Sequence, residues 1–342
     1  MTKEQFDTLK AIVRGEQIKP PVALLVDSPW IPPFAGIDAI EYFTEPEKWL
    51  DANLKVVRRF PNVIFIPGFW VEYGMAIEPS AHGCKVSWWK DSPPSISPVL
   101  DDISEAERLR VPSPQNDGLM PFVLHLQRWA NERIQPLGYA IRIVSARGPL
   151  ALATFLRGIT EFLVDIKIEP EASHRLLDIC TDTVIRWLDA QARNISTAKA
   201  ILVLDDIVGL LSPKDYEEFA HPYLKRIFDA FPNMLKLYHN DANVEPFAER
   251  LAETGFHILN FSHLIDPGEL QRRMGEKVVL MGNVPPLQVM VEGTPDDVRR
   301  SARRSLERTN GRIILSAGGG TNPGTSAENI DALVQSANEW QG

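Results

Sequence analysis

The sequence predicts a single (β/α)8 TIM barrel on three observations. Eight short apolar runs recur, each ends in polar or glycine residues, and each is followed by a longer stretch of helical period. The first four runs cover residues 22–26, ending at Asp27; 63–66, ending at Pro67-Gly68; 140–144, ending at Ser145 through Gly148; and 201–204, ending at Asp205-Asp206. The last four cover 235–238, ending at His239-Asn240-Asp241; 258–261, ending at Ser262-His263; 278–281, ending at Gly282-Asn283; and 313–315, ending at Ser316 through Gly320. Strands this short and apolar on both faces suit a parallel sheet covered by helices, and eight such units close a barrel.

Helices are expected at 46–59, 119–135, 170–192, 213–230, 244–253, 267–274, 295–309 and 327–340. Ser212-Pro213 and Thr294-Pro295 mark two starts, where a hydroxyl satisfies orphan amides and proline takes the first helical position. The charged opening segment has helical period and forms an N-terminal extension. From about Trp70 to Gln115 the chain is rich in proline and holds Trp88-Trp89. This is an insertion between the second and third strands, expected over the barrel mouth as a substrate-access loop or a packed collar.

Composition narrows the function classes. A chain of 342 residues, 44% hydrophobic and 24% charged, fits one globular domain across 1–342. A net charge of −9 argues against a nucleic-acid partner, since phosphate binding needs clustered Lys and Arg. Cys84 and Cys180 alone cannot build a disulfide framework, which fits a reducing compartment. No signal-like opening and no run of roughly 18 apolar residues is present, so the expected location is cytoplasmic, with no membrane contact.

Barrel enzymes carry their chemistry at the C-terminal strand ends. That rule selects Asp27, Arg147, Asp205, Asp206, His239, Asp241, His263 and Asn283. His239 and Asp241, two apart in an extended segment, point the same way and suit a divalent metal or an acid–base pair; Asp241 also stands where a cap for the next helix would. One of Asp205 and Asp206 should face the mouth and the other the wall, and the sequence leaves open which. Arg147 suits a substrate anion or a carboxylate partner. The Gly318-Gly319-Gly320 run permits close backbone approach but lacks the spacing of a nucleotide loop.

With these landmarks in place, the chain resembles the uroporphyrinogen decarboxylase superfamily, which also holds cobalamin-dependent methyltransferases acting with corrinoid proteins. The resemblance rests on Arg147-Gly-Pro through Leu156, Asp205-Asp206 through Pro213, His221 through Arg226, Tyr238-His239, Met281 through Val284 and Pro323 through Asn329. The decarboxylase's arginine-rich N-terminal motif is absent from residues 26–33, and its eighth-strand histidine reads glycine at about Gly319. The resemblance to the methyltransferases implies zinc held by a His-x-Cys pair and a distant cysteine. Here those positions read His239, Asp241 and about Gly319, so the expected zinc ligands are His239, Asp241 and Glu78 of the acidic segment 77–83.

The expected function is therefore a methyltransferase of a corrinoid-dependent system. It would demethylate a small methoxylated or methylated substrate and pass the group to cobalamin on a partner protein. Expected catalytic residues are His239, Asp241, Asp205 and Asp206; expected substrate contacts are Asp27, Trp30, Arg147, His263, Asn283 and Gly319. The alternatives are a metal-independent decarboxylase or lyase of a small carboxylate, using Arg147 and Asp27 or Asp205, and a non-catalytic binding barrel.

Overall fold

In the computed structural model, which describes residues 1–16 and 19–341, all eight expected runs are strands of one parallel sheet. The first two are β1 (Val22–Leu25) and β2 (Val63–Ile66). The insertion then contributes an antiparallel hairpin, β3 (Lys85–Ser87) and β4 (Ser95–Ser97). The remaining barrel strands are β5 (Ile143–Arg147), β6 (Ala200–Leu204), β7 (Leu235–Asn240), β8 (Ile258–Phe261), β9 (Val279–Val284) and β10 (Ile313–Ala317). The hydrogen-bonded order β2-β1-β10-β9-β8-β7-β6-β5 bends the sheet into a nearly closed barrel. Helices cover the outside, as burial of both strand faces requires.

Alternate residues on every strand fill the interior, among them Leu25, Ile66, Ile143, Leu204, Leu237 and Met281. Their neighbours, such as Leu24, Phe65, Val203 and Tyr238, pack outward against the helices. Extending the inward positions by steps of two places Asp27, Arg147, Asp206, His239 and Asp241 around the C-terminal mouth. The opposite end is closed by the helix Lys3–Val13, started by a Thr2–Gln5 capping box, with Met1, Phe6 and Leu9 buried beneath the barrel.

Several boundaries differ from expectation for identifiable reasons. The third barrel strand starts at Ile143 rather than at 140, because the Ala140 amide donates to Met1 and the Ile141 amide to the Asn131 side chain. The helix expected at 213–230 breaks into Pro213–Phe219 and His221–Asp229 at Pro222, which cannot donate a helical hydrogen bond. The 244–253 segment is a 3-10 turn, Glu245–Phe247, followed by Ala248–Ala252. Two further helices, Pro149–Arg157 and Ile159–Ile168, follow β5.

Asp205 departs from its expected catalytic place. Inward Leu204 leaves it facing the wall, fully buried, where Oδ2 accepts from the Leu150 amide and Oδ1 from the Ala151 amide, both at 2.9 Å. These are opening amides of the helix Pro149–Arg157, which otherwise lacks a side-chain cap. A Cβ at Gly148 would come within 2.3 Å of the Asp205 carboxylate, so glycine there makes room for it. Burial pushes the Asp205 carboxyl up to about 8.

Asp205→Ala leaves two helix amides without acceptors and is expected to cost about 2–4 kcal/mol in urea unfolding. Because folded Asp205 keeps a proton that the unfolded chain releases, its contribution to stability declines as pH rises from about 4 to about 8. Asp205→Asn should lack that decline; an unchanged pH profile would show that Asp205 does not titrate as described.

Candidate active site

Asn240 fastens the loops that carry the reactive groups. Facing outward from β7, its Nδ2 donates to the Asp205 carbonyl at 2.6 Å, and its Oδ1 accepts from the Ala242 amide at 3.0 Å. The chain after β6 is thereby drawn against the chain after β7. Asp206 Oδ1 accepts from the Asp241 amide at 3.1 Å and lies 3.4 Å from His239 Nε2. One ligand atom each from Asp206, His239 and Asp241 lie within 4.8 Å of one another.

The orientation of His239 follows from Asn260, a residue not expected in the site. Asn260 Nδ2 donates to the Met281 carbonyl at 3.0 Å and to the Ala317 carbonyl at 3.2 Å. Its oxygen therefore faces His239 Nδ1, at 2.7 Å. An oxygen acceptor requires a donor opposite, so Nδ1 carries a proton and Nε2 is the ring atom turned toward Asp206 and Asp241, where it can offer a lone pair to a bound cation. The only sequence signal for Asn260 is an amide inside the otherwise apolar β8.

This corner is rich in electron pairs. Desolvation, and then the charge of Asp206, raise the Asp241 carboxyl above the ordinary range, while His239 opposes the shift. Two carboxyl groups and the imidazole Nε2 converge, an arrangement that favours a shared proton or a bound dication. Gly319, at φ 126°, faces the cluster, and a Cβ there would stand 3.2 Å from Asp241 Oδ2. The oxygen and nitrogen donors fit zinc or a harder divalent cation.

Glu78 does not join them, contrary to expectation. Buried in the short helix Ile77–Ala81, it accepts from the Arg147 amide at 2.8 Å, and Asp206 takes the third place instead. Trp30 is also corrected: it is 1% exposed, stacked on Phe34, and donates through Nε1 to the Thr325 carbonyl, so no face is free for substrate. Asn283 is held by the Ile265 carbonyl and Ser305 against the helix Pro295–Arg308, and with His263 it lines a separate crevice of about 160 Å³. Neither belongs to the cluster. Asp27 and Arg147 do reach the mouth. Asp27 follows β1, which lies four places along the sheet from β7 and so across the barrel. Arg147 lies over the Trp70 ring at 5.7 Å. In the insertion, Trp88 packs edge-on against Phe43 and Tyr73, and exposed Trp89 donates to Ser95.

Among the described residues, no helix is long and apolar enough to cross a membrane. Cys84 and Cys180 are both free and buried. Cys84 contacts the Phe155 carbonyl and His82 bonds Thr183, so the His82-Gly83-Cys84 segment does not converge on a metal.

Known proteins share this architecture. Curated relatives include uroporphyrinogen decarboxylases from Parasynechococcus marenigrum, 30% identical over 258 residues and covering 71% of this chain and 70% of the relative, and from Danio rerio, 27% identical over 352 residues and covering 96% and 92%. Another, from Pseudoalteromonas translucida, is 26% identical over 280 residues, covering 77% and 75%. Among solved structures, a methyltransferase from Methanosarcina mazei superposes with a TM-score of 0.84 at 23% identity, over 98% of each chain. A putative vitamin-B12 independent methionine synthase from Listeria monocytogenes superposes with a TM-score of 0.56 at 11% identity, over 96% of this chain and 100% of that one. Both structural likenesses establish a shared barrel. The family model described as uroporphyrinogen decarboxylase (URO-D) matches residues 6–340, and the chain belongs to that family.

Proposed function

We propose that this chain is the methyltransferase of a corrinoid-dependent system, demethylating a small methoxylated or methylated substrate for a cobalamin carried by a partner protein. The observation that carries the proposal is the convergence of Asp206, Asp241 and the His239 Nε2 lone pair at the barrel mouth. The Methanosarcina mazei neighbour that shares the barrel is itself described as a methyltransferase.

A methyl–oxygen bond breaks readily only if the departing oxygen is stabilised. A dication bound here would supply that stabilisation as a Lewis acid. The chain's own part is to hold it: two ionised carboxylates balance its charge, and Asn260 keeps His239 aimed. No thiolate stands in this donor set, since residue 241 is aspartate and residue 319 is glycine. Oxygen donors leave a bound cation more electrophilic than sulfur would, which suits activation of an ether oxygen over a thiol.

A second reading, decarboxylation of a small carboxylate, draws on Arg147 and Asp27 at the mouth and on the names of the curated relatives. It requires no metal.

Elemental analysis is expected to find about one divalent ion per chain, lost in His239→Ala, Asp206→Ala and Asp241→Ala and retained in Glu78→Gln, whose side chain still accepts from the Arg147 amide. Methyl transfer from methoxylated compounds to free cob(I)alamin should fall by at least about 10²-fold in His239→Ala. A wild-type protein that stays metal-free when zinc, manganese and cobalt are offered, yet releases carbon dioxide from small carboxylates, would replace this function with the second reading. Asn260→Leu removes the partner of Nδ1 together with the donors to the Met281 and Ala317 carbonyls, and should weaken the metal by about 10–100-fold in a chelator competition; unchanged affinity would show that the tautomer is not set by Asn260.

A further inference from the structure

At the same mouth, between the end of β5 beside the His239 cluster and the end of β1 opposite it, stands a second group of charged side chains that the demethylation chemistry leaves unused. Arg147 ends β5 at an inward position, half-buried, with its guanidinium over Trp70. Among the described residues its guanidinium makes one long polar contact, 3.4 Å to the Gly74 carbonyl, and no ion pair. A guanidinium partly withdrawn from water that makes no direct ion pair keeps its donors free for an anionic oxygen arriving from outside.

Three acids lie close enough to feel that charge, yet two are committed to backbone amides. Glu72 accepts from the Ser28 amide at 2.5 Å and the Gly74 amide at 2.6 Å, and Glu78 accepts from the Arg147 amide. Asp27 is the acid that keeps partial access to the mouth. Burial, and then the charge of Glu72, push its carboxyl up to about 7, against the pull of Arg147. The other titratable neighbour, Tyr42, is a buried phenol that accepts from the Asn53 amide and brings no charge. At and below neutral pH this wall presents a guanidinium fork and a carboxylic O–H, both donors. A carboxylic acid kept neutral so that it can donate is an established device for holding an anionic oxygen.

We propose that this wall anchors the substrate and that the substrate is a small carboxylate, gripped by the Arg147 guanidinium and the Asp27 O–H, with Trp70 as its floor and Glu72 as the positioning residue behind Asp27. This names the substrate class of the demethylation function and rests on that function for what happens at the His239 cluster. The anion's charge strengthens the hold of Asp27 on its proton, so binding takes up a proton above pH about 7, and affinity falls about tenfold per pH unit there.

The test is calorimetric titration of the protein as purified with three ligands of one shape, methoxyacetate, 2-methoxyethanol and 2-methoxyethylammonium, between pH 5 and 9. Methoxyacetate alone is expected to saturate, with the stated pH dependence and with proton uptake visible in buffers of different ionisation enthalpy. Arg147→Gln should weaken it at least about tenfold. Asp27→Asn keeps a donor with no proton to lose, and should bind within about threefold of wild type at pH 6 with a flat pH profile. Glu72→Gln should move the decline to higher affinity-limiting acidity, that is, to lower pH, without weakening binding at pH 5. Preferred binding of the ammonium ligand, methoxyacetate binding untouched by Arg147→Gln, an unchanged pH slope in Asp27→Asn, or no saturable binding of any ligand below about 50 mM, where binding energy is under about 2 kcal/mol, would each overturn the proposal. No methyl transfer is read, so intact methoxyacetate binding beside failed demethylation would fault the proposed function and leave this anchor standing.

Discussion

The chemistry of the mouth depends on the direction in which one buried amide points. Asn260 spends both N–H groups on carbonyls of β9 and β10, so its oxygen is left for His239. Turning the amide over would strand two buried carbonyls, at about 1–3 kcal/mol each, and place a donor against Nδ1. The proton of a neutral ring would then have to sit on Nε2, and His239 could no longer offer a lone pair to a cation held between the two carboxylates. The tautomer of the site is in this sense a property of the sheet's backbone.

The same backbone gives adjacent residues opposite work. In His239-Asn240-Asp241 the side chains run in, out and in: the two inward groups meet Asp206, and the outward amide ties the loops together from behind. Asp205-Asp206 repeats the division, with one carboxylate spent on a helix start and its neighbour left at the mouth. Support and chemistry lie one residue apart, so the groups that hold the cluster in place cost it no space.

The barrel was legible because each strand is an apolar run bounded by polar residues. Its strand ends were less so: Arg147, His239, Asn240 and Asn283 continue their ladders although they are polar, since pairing uses the backbone and ignores side-chain character. Inward and outward faces could not be told apart where every residue of a strand is buried, as in β6, and this left Asp205 and Asp206 indistinguishable. The helix Pro149–Arg157 escaped for a related reason, being buried on nearly all sides and so lacking a polar face. His239, Asp206 and Asp241 could be selected from their strand-end positions. Glu72 and Asn260 lie in apolar surroundings and gain meaning only from the strands and loops folded against them, while Glu78, Trp30, His263 and Asn283 were drawn away by partners distant in sequence.

Residues 241 and 319 are best understood together. The resemblance to corrinoid methyltransferases implies a cysteine at each, and this chain has an aspartate and a glycine. Any side chain at 319 would start 3.2 Å from an Asp241 oxygen, and φ 126° there is a conformation that only glycine adopts readily. A carboxylate at 241 therefore occupies the approach that a ligand from β10 would use, and the glycine yields the room. The exchange leaves three protein donors and one side facing the mouth. Three donors with an open position is the pattern of a catalytic metal site, whereas four closed donors is that of a structural one. On the proposed demethylation function, that open side is where the methyl-bearing oxygen would come.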